Sequence, residues 1–389
     1  MCYNIPAREV VQNLRILIIG YSTRYIVCAA KRAGYTVYSL DHFGDVDMLR
    51  CADGYARFDE MTSEEDLLDL LNRLNWDFDA IILGTGFECF DLKGYRVLNN
   101  RAGVVRSISN KKLFGGMMKS LGFQHPEIYD ISDDFGYPVM IKPVYGSGGI
   151  ENRLAHSREE TRGCGTDMLI QEYLEGVPAS VSVISTREDA VAIAVNEQLI
   201  GTPWLTRDRF AYCGNVTPFR SEYDSEMREI AVQLIQKLGL IGSNGVDFLI
   251  TENGPVVIEV NARFQGTLDT VEYASGISVF DAHVRAFSGE LVEVPSDATE
   301  RRFAGRAVLF ADTDVTIDEV ISKKLEKERI MDIPQTGWRI SAGDPVTTIF
   351  CEGKSREQVV QGLRAAAGRI RELMQPSVAT RKTTHLQNL

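Results

Sequence analysis

The sequence predicts an α/β protein: a doubly wound parallel sheet, then an α+β middle part, then a small β-rich C-terminal part closed by a helix. Three observations predict it. Short apolar runs alternate with helical stretches at the start of the chain. Residues 245–266 alternate apolar and polar positions on both sides of a turn at Glu252-Asn253-Gly254-Pro255, as a β-hairpin does. After residue 300, runs such as Arg306-Ala307-Val308-Leu309-Phe310 read as strands.

In order, residues 14–20 (LRILIIG) are a short apolar run ending in glycine, which fits a strand buried on both faces. A helix through 29–33 and a strand at 36–41 follow. Residues 63–74 (SEEDLLDLLNRL) open with a serine cap and an acidic first turn. Residues 80–84 (AIILG) are the next strand. Ligands of such sheets sit beyond the carboxyl ends of the strands. Segments 20–24, 41–42 and 84–88 are therefore candidate ligand loops, with Arg24 and Glu88 as candidate substrate contacts. Segment 20–24 does not complete G-x-G-x-x-G, which disfavours NAD.

Residues 109–122 read as a helix capped by Ser109 and closed by Gly122. The strand at 137–143 carries Lys142 near its end and runs into Gly146-Ser147-Gly148-Gly149. An apolar segment at 168–176 and strands near 179–185 and 190–199 follow. Residues 204–218 read as a loop holding two further candidate substrate contacts, Tyr212 and Asn215. Helices at 225–238 and 276–289 flank the hairpin, and a last helix spans 355–374.

The chain has 389 residues, enough for two or three domains. A net charge of −12 argues against a nucleic-acid track as the main partner. No apolar run approaches the ~20 residues of a membrane span, and the N-terminus lacks the layout of a secretory signal. The seven cysteines are scattered without a C-x-x-C, and the five histidines show no metal-ligand spacing. Reduced thiols in a cytoplasmic protein are the expectation.

The hairpin carries the chemistry. Asp247 lies near the start of its first strand, and Glu259, Asn261 and Arg263 are two apart on its second, hence on one face. Two carboxylates and an amide suit a hard cation such as Mg2+. The arginine suits a phosphate or carboxylate. Glycines 146, 148 and 149 with Ser147 supply backbone N–H groups that can wrap phosphate oxygens. Lys142 and, from another segment, Lys111 or Lys112 supply point charges for the same phosphates.

The order of parts is a lysine at a helix start, strand-lysine-proline with a Gly-rich loop, Glu172-Tyr173-Leu174-Glu175-Gly176, then Asp247 with Glu259-x-Asn261-x-Arg263. In this the sequence resembles the ATP-grasp superfamily over roughly residues 10–375. It is most similar to the archaeal ATP-dependent carboligase branch, which is biotin-carboxylase-like and includes a tyramine–glutamate ligase. The resemblance implies a pre-ATP-grasp Rossmann-like domain at 1–105, an ATP-grasp domain at 106–295, a β-rich C-terminal domain at 296–375 and a disordered tail at 376–389. It implies that Lys111 and Lys142 bind ATP phosphates under the loop 146–149, and that Glu172, Tyr173 and Leu174 face adenine. Asp247, Glu259 and Asn261 would hold Mg2+, with Mn2+ as a substitute, and Arg263 would be catalytic. One departure stands out: Pro178 occupies the position of the usual ribose-binding carboxylate, and Glu175 is the substitute on offer.

The resemblance further implies a carboxylate–amine ligase that activates a small carboxylate, an amino acid by preference, as an acyl phosphate. Its partners would be small-molecule acid and amine substrates, with a homodimer as a candidate assembly. Two alternatives stand beside it: an ATP-dependent carboxylase using bicarbonate, and a nucleotide-binding protein without catalysis. Against biotin carboxylation, Arg263 is followed by Phe264-Gln265-Gly266 instead of the glutamate–histidine pair, and no Met-Lys-Met is present.

Overall fold

The computed structural model of the chain describes residues 14–61, 63–294 and 302–374. The expected tail at 376–389 lies outside them. So does Cys2.

Strands Arg15–Gly20, Thr36–Asp41, Gly54–Arg57 and Ala80–Leu83 form a parallel sheet with the first-named strand between the second and the fourth. The first strand shows why the sheet is covered on both sides. Ile16 and Ile18 pack with Ile26 and Ala30 of helix Arg24–Arg32, whereas Leu17 and Ile19 pack with Leu67 and Leu71 of helix Glu64–Leu74. Alternate residues of one apolar run thus serve two cores. Ser63 caps the second helix by accepting from Asp66 N–H. The short edge strand Gly54–Arg57 escaped sequence reading because its residues are alternately half-buried and exposed, so no apolar run marks it.

A second, antiparallel sheet holds Ile128–Tyr129, Met168–Glu172, Val139–Pro143 and Arg153–Ala155. The third sheet has eight strands. It runs from the hairpin strands Gly254–Asn261 and Gly242–Thr251 through Val177–Ser185, Ala190–Ile200 and Tyr212–Thr217 to Phe303–Phe310, Pro345–Gly353 and Ile330–Met331. The C-terminal strands therefore continue the sheet that carries the hairpin. Helix Ala102–Ser109 runs across the expected boundary at 105/106.

Four expectations are corrected. Residues 212–217 are a strand, not part of a loop. Their Cys-Gly-Asn composition reads as a turn, but Gly214 serves close packing: a Cβ there would lie 2.0 Å from the Arg306 carbonyl of the next strand. Helix Lys111–Leu121 is capped by Asn110, whose side chain accepts from Lys112 and Leu113 N–H, whereas Ser109 ends the preceding helix. Residues 276–289 do not form one helix: Gly276, at φ 70, closes helix Leu268–Ser275, and Ser278 caps Val279–Ala286. Finally, Cys28 and Cys51 are disulfide-bonded, not reduced. Helices Arg24–Arg32 and Val46–Cys51 pack together and bring the two Cα atoms to 5.4 Å, a separation that spacing of 23 in sequence does not reveal. No helix among the described residues is long and apolar enough to cross a membrane.

His283 ties the sheets together. Its Nδ1 accepts from Ser243 N–H at 2.8 Å and its Nε2 contacts the Leu98 carbonyl at 2.8 Å. Burial drives its pKa down from 6.5 to about 4, against the pull of the Leu98 bond. The unfolded chain takes up this proton near 6.5 and the folded chain only near 4. The stability contributed by neutral His283 is thus complete above 6.5 and is lost as pH falls from 6.5 through 4, by about 3 kcal/mol in all. An NMR titration of the folded protein should keep this imidazole neutral down to about pH 4; a midpoint near 6.5 contradicts the assignment.

Candidate active site

The hairpin turns tightly at Glu252 and Asn253. Thr251 Oγ1 accepts from Asn253 N–H and donates to the Gly254 carbonyl, and Gly254 takes φ 108. A bulge between Asp247 and Phe248 then sets the pairing: Asp247 faces Glu259, and Phe248 faces Val257. The two carboxylates are thereby cross-strand neighbours. Asn261 Nδ2 donates to Asp247 Oδ2 at 3.1 Å. Burial and the neighbouring Glu259 push the Asp247 carboxyl up to about 7, although Asn261, Arg263 and Gln198 favour its charge. Two carboxylates are thus held side by side in a half-buried face, with Asn261, Arg263 and Lys142 as neighbours.

Asp247, Glu259 and Asn261 bring together oxygen donors of the kind that suits a divalent cation. Among the described residues no group of three or more His, Cys, Asp or Glu could hold a metal; at this face the two carboxylates are joined by the Asn261 amide.

A cleft of about 710 Å3 opens over this face. Lys111, Lys142, Gly146, Ser147, Gly148, Gly149, Tyr173, Leu174, Asp247, Glu259, Asn261 and Arg263 all line it, so most of the residues singled out in the sequence converge. Lys142 comes from strand Val139–Pro143, and burial drives its ammonium down to about 8 while Glu259 opposes and Lys111 adds to the shift. A ligand phosphate would restore its full charge. Lys111 donates to the Gly146 carbonyl at 2.7 Å, which places it beside the Gly-rich loop. Arg263 donates from Nε to Glu88 Oε1 at 3.0 Å, and Glu88 Oε2 accepts from Gly86 N–H at 2.6 Å. Glu88 thus orients the arginine from the loop after strand Ala80–Leu83.

Glu172 and Glu175 part from the others. They line an adjoining depression of about 840 Å3 with Lys112 and Lys119, which shares Tyr173 and Leu174 with the cleft, and Glu172 accepts from Glu127 N–H. Glu175 thus lies beside the cleft, at the border formed by Tyr173 and Leu174.

Two candidate substrate contacts are corrected. Arg24 is 2% exposed and held by Asp269 at 2.8 Å and Asp332 at 2.7 Å. It joins helix Arg24–Arg32 to the C-terminal part and is structural. Asn215 is fully buried and donates to Thr217 and Thr270 hydroxyls at 2.9 and 2.6 Å within a polar ladder of the sheet. Both looked like ligand contacts because they read as polar loop residues, and their partners Asp269, Asp332 and Thr270 lie far away in sequence.

Tyr212 does reach the cleft. Its hydroxyl is buried without a hydrogen-bond partner among the described residues, and burial pushes its pKa up to about 12. Sequence reading missed Arg306, which lines the same end. It donates to the Gly266 carbonyl and to Thr348, lies 3.7 Å from Asp332, and keeps a buried Nε without a partner among the described residues. A Cβ on Gly266 would lie 3.3 Å from Arg306 Nη1 and 3.5 Å from the Tyr212 hydroxyl oxygen, so the three converge. The available signal was a lone cation inside the apolar strand FAGRAVLF. Two buried donors that the chain leaves unspent suit an oxyanion.

The chain is similar to known proteins. Residues 108–267 match the family described as ATP-grasp domain. An uncharacterized protein of Methanocaldococcus jannaschii is 27% identical over 87% of this chain and 88% of its own length. The 3-methyl-D-ornithine–L-lysine ligase of Methanosarcina acetivorans is 26% identical over 87% of this chain and 91% of its own. Among solved structures, the biotin carboxylase domain of 2-oxoglutarate carboxylase from Hydrogenobacter thermophilus superposes with a TM-score of 0.70 at 15% identity, covering 93% of this chain and 94% of that one. That last likeness is one of fold.

Proposed function

We propose, from the match of residues 108–267 to the ATP-grasp domain family, that the chain is an ATP-dependent carboxylate–amine ligase for a small acid, an amino acid by preference. The observation that carries this reading is the single cleft in which two lysines, a Gly-rich loop, the Asp247–Glu259–Asn261 face and three arginines meet. In this reading Lys111, Lys142 and the amides of 146–149 hold the ATP phosphates, and Tyr173 and Leu174 border the adenine. Asp247, Glu259 and Asn261 hold Mg2+, which when bound neutralises phosphate charge. Arg306 and the Tyr212 hydroxyl receive the acid, and Arg263, oriented by Glu88, faces the group in transfer.

A carboxylate oxygen attacks the γ-phosphorus and ADP leaves. An amine nitrogen then attacks the acyl carbon, phosphate leaves and the nitrogen gives up a proton. The residues' part is positioning and charge neutralisation. The ligase relative at 26% identity supports the carbon–nitrogen reading. Phe264, the residue after Arg263, is 1% exposed and stacked on Phe280, so that position serves the core and offers no second reactive group.

The test is ADP release from Mg–ATP against pooled amino acids and amines, with bicarbonate alone as a separate arm. Release that needs both an acid and an amine is expected. Release driven by bicarbonate alone supports a carboxylase instead, and bound ATP with no release under any arm supports a non-catalytic protein.

A further inference from the structure

The Gly-rich loop does not stand free over the cleft. The Gly148 carbonyl accepts from Tyr212 N–H at 2.9 Å. Gly149, at φ +78, lies so close to the neighbouring strip that a Cβ would sit 1.9 Å from the Phe210 carbonyl oxygen. Gly148, at φ +68, has nothing within 4 Å of such a Cβ. The strip 209–212 therefore touches three parts of the site. Arg209 Nη2 donates to the Tyr173 hydroxyl at 3.4 Å, at the adenine border. The backbone of Phe210 meets Gly149. Tyr212 runs on to the Arg306 end of the cleft.

The strip is also braced from behind. Gly201 N–H donates to the Ala211 carbonyl at 2.8 Å, and a Cβ on Gly201 would lie 1.9 Å from the Arg209 carbonyl oxygen. Packing this tight transmits displacement instead of absorbing it.

We propose that the nucleotide loop positions Tyr212: docking of Gly148 and Gly149 on residues 210–212, fixed when phosphates fill the loop, sets the Tyr212 hydroxyl beside Arg306 and so completes the acid subsite. The proposal rests on the reading of the cleft as a nucleotide site. Acid and nucleotide then bind cooperatively through a backbone contact, with Tyr212 sensing the loop by its N–H and serving the acid by its hydroxyl.

Hydrogen exchange at amides 210–212, with and without Mg2+ and a non-hydrolysable ATP analogue, tests this. Gly148→Ala and Gly149→Ala both put a side chain at a left-handed φ in a loop at the surface, but only the second meets Phe210. The analogue should slow exchange there by about tenfold in the wild type and in Gly148→Ala, and by less than about twofold in Gly149→Ala. Tyr212→Phe, which keeps the backbone N–H, should respond as the wild type does. Analogue binding without slower exchange in the wild type, or an equal response in Gly149→Ala, overturns the coupling and leaves the nucleotide site standing. Failure of the wild type to bind the analogue overturns the nucleotide site and this proposal with it.

Discussion

Glu259→Gln should abolish turnover, with a loss of roughly a thousandfold or more in kcat, while the protein stays folded. The size follows from the charge that a metal clamp supplies to phosphoryl transfer, worth several kcal/mol. The retained fold follows from Asp247. Glu259 is a leading cause of the raised Asp247 pKa of about 7, so removing its charge relieves a repulsion in the metal-free protein. The melting temperature should hold or rise, and added Mg2+ should raise it less than in the wild type. Arg263→Ala gives the contrast: kcat should fall more than ATP affinity, because its charge matters most during transfer. A collapse of thermal stability in Glu259→Gln would mark the hairpin as structural. Near-normal turnover would remove Glu259 from the metal set.

Arg24→Ala should cost about 3–5 kcal/mol of stability, the range for breaking a buried ion pair by deleting one partner. Arg24 and Asp269 are 2% and 1% exposed. Burial alone would raise the Asp332 pKa, but Arg24 and Arg306 hold it at about 2. Without Arg24 these carboxylates lose their nearest cation. Urea denaturation of Arg24→Ala should show the loss, and the double variant Arg24→Ala with Asp332→Asn should recover part of it. Wild-type stability combined with a weakened substrate KM would return Arg24 to the substrate site.

These two residues mark what the sequence discloses and what it hides. Glu259 and Asn261 are legible because strand periodicity puts them on one face and the turn at Gly254 fixes the hairpin; Arg263, expected on the same strand, lies two residues past its end at Asn261 and still reaches the cleft. Lys142 is legible because it ends an apolar strand beside a Gly-rich turn. The Asp247–Glu259 pairing depends on a bulge, which no local pattern announces. Arg24 was misread because its partner Asp332 lies 308 residues away. Arg306 was missed because its strand reaches the cleft only through the continuation of the eight-stranded sheet from Tyr212–Thr217 to Phe303–Phe310. Local pattern discloses residue type and face; contacts between distant segments decide which polar side chains line the cleft and which are struts.

The most direct measurement follows an oxygen atom. With the acid that drives ADP release labelled by 18O in its carboxylate, an acyl phosphate intermediate carries one labelled oxygen into the inorganic phosphate released on amine attack. Phosphate bearing one 18O per turnover is the predicted result. Unlabelled phosphate, with ADP and the amide product still formed, contradicts the account.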